Sequence, residues 1–202
     1  LPEDKFIYCC FNNSYRNNLS TFNCWMEILS QVPNSVLWLD SPSKLYEKNI
    51  LKHAQTKKID SNRIIFREHD ILNRDWHHSL ADVYLDTMVI SGGTTGILSA
   101  WIGLPVITIA GKTPQSRFGA GIMKASGGEQ FIVNSESEYI NKAIELAQDR
   151  DKLEKIKQDF LSQARQSPLF DQQCYIRHLE SAYELMWSDH LAGHKQKHIY
   201  VN

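Results

Sequence analysis

Neither sign of charge is in excess in this chain: 22 Lys and Arg stand against 23 Asp and Glu. That balance supplies no bulk field toward nucleic acid or an anionic membrane, so any anion recognition must be local. No apolar run approaches the roughly 20 residues that a bilayer-spanning helix needs. The first residues, LPEDK, are acidic and lack the apolar stretch of a secretory leader. Together these absences set the expectation of a cytoplasmic protein with neither nucleic acid nor membrane as partner. Cysteine is sparse: Cys9, Cys10, Cys24 and Cys174 form no CxxC pair and no metal-ligand spacing. Cys9 and Cys10 are neighbours in an apolar run, where their side chains take opposite faces of a strand. They read as free buried thiols of a reducing compartment.

The signs of several enzyme classes are missing too. His69, His77 and His78 form neither HxH nor HExxH, and no cysteine lies nearby, so no metal is expected. There is no GxSxG elbow and no Cys or Ser flanked by a credible His–acid pair. No Gly-Lys-Ser/Thr completes a P-loop, and GxGxxG is absent.

What is present is an alternation of short apolar runs and amphipathic segments over 202 residues, long enough to bury a real core. Strands are expected at Lys5–Phe11, Val36–Leu39, Ile64–Phe66, Val83–Leu85, Val106–Ile109 and Phe131–Val133. Helices are expected at Thr21–Gln31, Leu45–Thr56, Thr95–Ile102 and Ser116–Ala125, and helical pattern runs from Ser135 through Trp187. Near-continuous apolar strands alternating with helices predict an α/β fold, a parallel sheet covered on both faces. No linker, repeat or low-complexity block appears, so residues 1–187 read as one Rossmann-like domain and 188–202 as a polar tail. Phe170, Tyr175, Leu179, Tyr183, Met186 and Trp187 recur at helical spacing and are expected to pack on a neighbour, either this sheet or a lobe outside this chain, in which case they leave an exposed apolar patch here.

In such a sheet ligands sit at the carboxyl ends of the strands. That rule selects the loops Asn12–Ser20, Arg67–His78, Thr87–Thr95 and Gly111–Arg117. The third contains ISGGTTG, with Gly92 and Gly93 ahead of a helix that starts near Thr94 or Thr95. A helix start carries unpaired N–H groups and partial positive charge. Glycine lets an anion approach them, and two threonines offer hydroxyl donors, so a phosphate or diphosphate is the natural guest. A Thr N-cap after a tight turn, with no ligand, is the plainer alternative. Arg16, in the loop after the first strand, has the fork to pair with phosphate oxygens there. Arg117 is a second cation in a glycine-bracketed loop, and Trp76 a lone aromatic able to stack on a base or sit in the core.

The motifs FNNSYR, VPNSVLWLD, RIIF, LADVYLDT, GGTTG, AWIGLPVITIAG, SRFGAGIM, SPLFD and LESAYELMW follow in that order. The series resembles the C-terminal half of the catalytic region of protein O-GlcNAc transferases and SPINDLY-type protein glycosyltransferases, over Leu1 to Trp187. The resemblance implies the C-terminal, donor-binding lobe of a GT-B fold, with a UDP-sugar as donor substrate and no further cofactor. It implies transfer of a sugar, GlcNAc by analogy, to Ser or Thr of a protein that is recognised through an N-terminal region outside this chain. It also implies that this lobe alone is inactive. Asn13 matches a polar position at the donor phosphates. Arg16 matches a lysine that contacts the diphosphate and supports leaving-group departure. Thr94 and Thr95 match the paired threonines that hold the diphosphate, with Gly92 and Gly93 before them. The loop Asp70–Trp76 corresponds to the segment flanking the uracil, where Arg74, Asp75 or Trp76 takes the place of a histidine.

The chain departs from the pattern at donor contacts. Gly93 stands where the pattern has histidine, Leu98 where it has an acid for the ribose, and Arg16 where it has lysine. Ser99 is a weaker replacement for the acid. The alternatives are a non-catalytic nucleotide-binding or scaffold module, and a GT-B transferase using another donor or acceptor.

Overall fold

The computed structural model describes residues 1–68 and 74–201, leaving aside the side chains of Glu68, Arg74 and Asp75. The first strand, β1 (Phe6–Cys10), is buried along its whole length, which is why its sequence shows no polar alternation. Asn18 caps α1 (Leu19–Gln31) by accepting from the Thr21 N–H at 2.8 Å, and α1 buries Phe22, Trp25, Met26, Ile28 and Leu29. Next come β2 (Ser35–Ser41), α2 (Lys44–Thr56) and β3 (Ile64–Glu68). A short helix, α3 (Arg74–Ser79), leads to β4 (Val83–Leu85), then α4 (Thr94–Trp101), β5 (Val106–Ile109), α5 (Phe118–Ala125) and β6 (Ile132–Val133). The chain ends in α6 (Glu136–Ala147), α7 (Arg150–Arg165) and α8 (Gln172–Leu191).

The six strands form one sheet in the order β3-β2-β1-β4-β5-β6, and every pairing is parallel. This is the strand order of dinucleotide-binding folds, and it reverses direction between β1 and β4, where a crevice opens at the carboxyl edge. Helix α1 packs beside α6, whereas α4 contacts α3, α5 and α7. Polar tips of the large core aromatics find partners. Tyr8 Oη donates to the Ala143 carbonyl at 2.7 Å, Tyr139 Oη to the Asp86 carbonyl at 2.9 Å, and Trp25 Nε1 to Tyr139 Oη at 3.1 Å. Arg63 closes the end of α1, its guanidinium donating to the carbonyls of Leu29, Val32 and Ser35 at 2.8–2.9 Å. Cys9, Cys10 and Cys24 are buried free thiols, and burial pushes Cys9 and Cys10 well above the ordinary thiol range.

Two features differ from the sequence expectations. Arg67 belongs to β3 rather than to the loop after it, paired to Asp40 of the neighbouring strand. The C-terminal helical region is three helices, and α8 runs past Trp187 to Leu191, so the boundary expected at 187 falls inside a helix. Of the residues expected to pack on this sheet or on a lobe outside this chain, Tyr175, Leu179, Tyr183, Met186 and Trp187 stay exposed on α8, which has no buried residue, and Phe170 before it packs edge-on to Trp101 at 5.1 Å.

Candidate functional site

A cavity of about 340 Å³ opens at the carboxyl edge, where the strand order reverses. Residues after β1 (Phe11 to Asn13, Arg16) and the start of α4 (Gly93 to Thr95) form its two sides. Asp40 and Arg67 close its far end.

The side formed by α4 has the chemistry of an anion cradle. Helices α1, α2, α6, α7 and α8 each begin with a side chain accepting from a first-turn N–H. Helix α4 begins at Gly93, which offers no such acceptor, and its first intrahelical bond runs from Ile97 N–H to the Gly93 carbonyl at 3.0 Å. The N–H groups of Thr94, Thr95 and Gly96 therefore precede the hydrogen-bonded ladder, where a helix carries partial positive charge. Arg16 stands across from them. Its Nη1 donates to the Ser91 carbonyl at 2.9 Å, and this pins the guanidinium over the loop while the other terminal nitrogen stays available.

Underneath lies a buried polar hub that the sequence reading did not find. Asp86, 1% exposed, accepts at Oδ1 from Asn12 Nδ2 (2.9 Å), the Thr87 N–H (2.8 Å) and the Gly92 N–H (2.8 Å). Its Oδ2 accepts from Thr108 Oγ1 at 2.8 Å. Burial pushes this carboxyl up to about 6, against the downward pull of those four hydrogen bonds. Asn12 passes the connection on, donating also to Thr87 Oγ1 (2.7 Å) and accepting from Thr95 Oγ1 (2.7 Å). The chain from Asp86 through Asn12 to Thr95 fixes the loop and the first turn of α4 as one unit.

This hub reassigns several of the residues expected at the site. The Gly92 N–H is committed to Asp86, so Gly92 shapes the loop instead of meeting an anion. A side chain there would collide with Thr95 Oγ1 (2.4 Å) and Asn12 Oδ1 (2.8 Å). Gly93 has open space around it and lines the cavity. The Thr95 hydroxyl spends its proton on Asn12, leaving its backbone N–H as the donor it offers a ligand. Thr94 is exposed and keeps both. Asn13 is exposed at the cavity rim, where it begins the short turn Ser14–Arg16 without a side-chain cap. Ser99 is fully buried and donates to the Thr95 carbonyl at 2.8 Å, so it does not replace an acid at a ribose.

Other candidates lie elsewhere. Trp76, 62% exposed, borders a separate cavity of about 570 Å³ shared with Trp38, Leu80 and Asp82, beside the amino-terminal ends of β1 and β4. Arg117 donates to the Gly111 carbonyl at 2.9 Å and is not part of the 340 Å³ cavity wall. The Arg74 side chain, and His69 with most of the loop before Trp76, lie outside the described residues. His78, by contrast, is a buried side chain that lines the 340 Å³ cavity, stacked on Tyr84 and edge-on to Phe11. Among the described residues no three His, Cys, Asp or Glu gather as metal ligands. No helix among them is long and apolar enough to cross a membrane.

Fold and site together define a Rossmann-like lobe in which an uncapped helix start and an arginine line one cavity at the sheet's switch point. The chain belongs to glycosyl transferase family 41, whose pattern it matches over residues 1–179. It is 36% identical over 203 residues to a probable UDP-N-acetylglucosamine–peptide N-acetylglucosaminyltransferase of Arabidopsis thaliana, covering 100% of this chain and 21% of that protein. A Caenorhabditis elegans UDP-N-acetylglucosamine–peptide N-acetylglucosaminyltransferase is 31% identical over 205 residues, covering 100% of this chain and 18% of its own length. The fold is shared with a solved point mutant of the Thermobaculum terrenum O-GlcNAc transferase, with a TM-score of 0.85 at 23% identity, covering 93% of this chain and 37% of that one. The lobe corresponds to the C-terminal lobe of a GT-B fold. The chain spans about a fifth of the length of these curated relatives.

Proposed function

We propose that this chain is the donor-binding lobe of a protein glycosyltransferase that moves GlcNAc from UDP-GlcNAc to Ser or Thr hydroxyls. The observation that carries the reading is the convergence of Arg16 and the uncapped start of α4 on one cavity, in a chain of family 41. Transfer leaves a diphosphate carrying new negative charge on the oxygen that loses the sugar. Preorganised N–H groups and a guanidinium aimed at that charge stabilise the transition state more than the ground state. Arg16 is thus the leaving-group cation, and Thr94, Thr95 and Gly96 supply the backbone donors. Gly93 keeps that approach open, and Asn13 is a polar contact at the rim. The Asp86–Asn12–Thr95 chain acts by positioning and touches no substrate.

The acceptor hydroxyl and the groups that deprotonate it belong, in this reading, to a second lobe across the cleft. The reading invokes no metal ion and places the protein in the cytoplasm. Sugar transfer from labelled UDP-GlcNAc to a Ser/Thr peptide, measured with the full-length protein, tests it. Arg16→Ala is expected to lower kcat at least tenfold with the fold intact. Transfer that is undetectable, or indifferent to Arg16→Ala, refutes the reading and favours a nucleotide-binding module without activity.

A further inference from the structure

Arg16 and the start of α4 leave one exposed ring of the cavity wall without a role. Phe118 opens α5, lines the cavity and is 53% exposed. Among the described residues its ring meets neither another ring nor a cation. The other aromatic rings of the wall are already engaged: Phe11 is buried with Trp38 edge-on at 5.0 Å, and His78 is stacked on Tyr84. Ligand pockets use such rings as walls, because a flat apolar surface covers part of a guest without claiming its polar groups.

Ser91 fixes where this ring stands. Itself 1% exposed, Ser91 accepts from Arg16 Nη1 at its carbonyl and from the Gly119 N–H at Oγ, both at 2.9 Å. Its own N–H and Oγ donate to the Gln115 carbonyl at 3.0 Å. One buried residue thus ties the Arg16 guanidinium to the first turn of α5. Gly119 tightens the hold. A β-carbon there would lie 2.3 Å from Asp86 Oδ2 and 2.6 Å from Thr108 Oγ1, so the turn that carries Phe118 sits directly on the buried hub.

The guest on the Arg16 side follows from the chemistry assigned to Arg16. It pairs with the phosphate oxygen that loses the sugar, so the group bonded to that oxygen lies next to it. That group is the sugar ring, and it must stay reachable by an acceptor, which a half-exposed wall permits. One face of a pyranose is a set of C–H groups, and its hydroxyls radiate around the edge. The negative face of an aromatic ring attracts the former and leaves the latter free.

Building on the donor-lobe reading above, we propose that the Phe118 ring packs on the C–H face of the donor's sugar and orients it beside Arg16. Such a contact is felt by UDP-GlcNAc and not by UDP.

Calorimetry of this chain with UDP and with UDP-GlcNAc, for the parent, Phe118→Ala and Phe118→Tyr, tests it. Phe118→Ala is expected to lower UDP-GlcNAc affinity about tenfold while UDP affinity stays within about twofold of the parent. Phe118→Tyr keeps the ring face and should bind UDP-GlcNAc as the parent does. Equal losses for both ligands in Phe118→Ala overturn the proposal, since they mark the ring as structural or as a cover for the base. Unchanged UDP-GlcNAc affinity in Phe118→Ala overturns it and leaves the diphosphate cradle standing. A Phe118→Tyr variant that loses as much as Phe118→Ala overturns it equally. A parent chain that binds neither ligand defeats the donor-lobe reading and this assignment with it.

Discussion

Thr95 and Asn12, 83 positions apart in the chain, are joined by a hydrogen bond of 2.7 Å from the threonine hydroxyl to the asparagine carbonyl oxygen. Through Asn12 Nδ2 the link continues to Asp86 at 2.9 Å, so the first turn of α4 is tied to the ends of β1 and β4. A helix start held this firmly is preorganised, and its unpaired N–H groups need no rearrangement to meet an anion.

Asn12→Ala removes the junction and leaves Thr87, Thr95 and Asp86 each short of a partner. We expect a loss of stability of about 1–3 kcal/mol, read as a lower urea midpoint. Asn12→Asp sets a second carboxylate against Asp86 and is expected to be more damaging. An unchanged midpoint in both variants contradicts the positioning role.

The adjacent glycines should respond differently. A β-carbon at Gly92 lies 2.4 Å from Thr95 Oγ1, whereas one at Gly93 meets nothing within 4 Å. Gly92→Ala is expected to cost about 1–3 kcal/mol through forced displacement of the Asn12–Thr95 bond. Gly93→Ala should stay within about 0.5 kcal/mol of the parent. Thermal unfolding of the two variants side by side decides the matter, and equal losses contradict the assignment.

Asp86 makes stability depend on pH with a defined sign. Its folded carboxyl sits at about 6, above the roughly 3.9 of an unfolded chain. The folded state therefore holds the proton more tightly. Its contribution is fully present below about pH 4 and is lost as pH rises through about 6, a change on the order of 3 kcal/mol. Asp86→Asn, whose amide oxygen still accepts and whose amide nitrogen can donate to Thr108 Oγ1, should lack that slope. Unfolding free energies of parent and variant across this interval test it; parallel curves, or a slope of opposite sign, contradict it.

Arg16→Ala removes a charge-assisted contact worth about 1.5–3 kcal/mol, so UDP affinity should fall roughly ten- to a hundred-fold. Arg16→Lys keeps the charge and should recover part of the loss. Titration calorimetry measures both; an Arg16→Ala variant that binds UDP as the parent does removes Arg16 from the site.

Much of this architecture was legible in the sequence because each strand is a short apolar run and each helix has an amphipathic face. FIYCC and SVLWLDS bury nearly every residue, and a run with no polar alternation is what a doubly covered parallel strand requires. The glycine–threonine loop was legible as the start of a helix without a side-chain cap. Which of its groups remain open was not, because that depends on partners far away in the chain. Gly92 and Gly93 look alike until Asp86 claims one N–H. Asn12 and Asn13 differ only in which side of the strand end they fall, and the buried one carries the network while the exposed one sits at the rim. The available signal was Asp86 itself, a carboxylate closing an apolar strand, which needs donors once buried. Arg67 was read as loop because a charge ends an apolar pattern, yet Asp40 on the next strand allows it to stay inside the sheet. The exposed apolar residues of α8 were read as packing residues, and their spacing alone does not say against what.

The central claim is that the backbone at the start of α4 holds the donor's diphosphate. Amide NMR spectra of the isotope-labelled chain, recorded through a titration with UDP, observe those groups one by one. The account predicts the largest shifts at Thr94, Thr95 and Gly96, with the Gly92 amide, already bonded to Asp86, moving far less. Saturating UDP that leaves Thr94, Thr95 and Gly96 in place would contradict it.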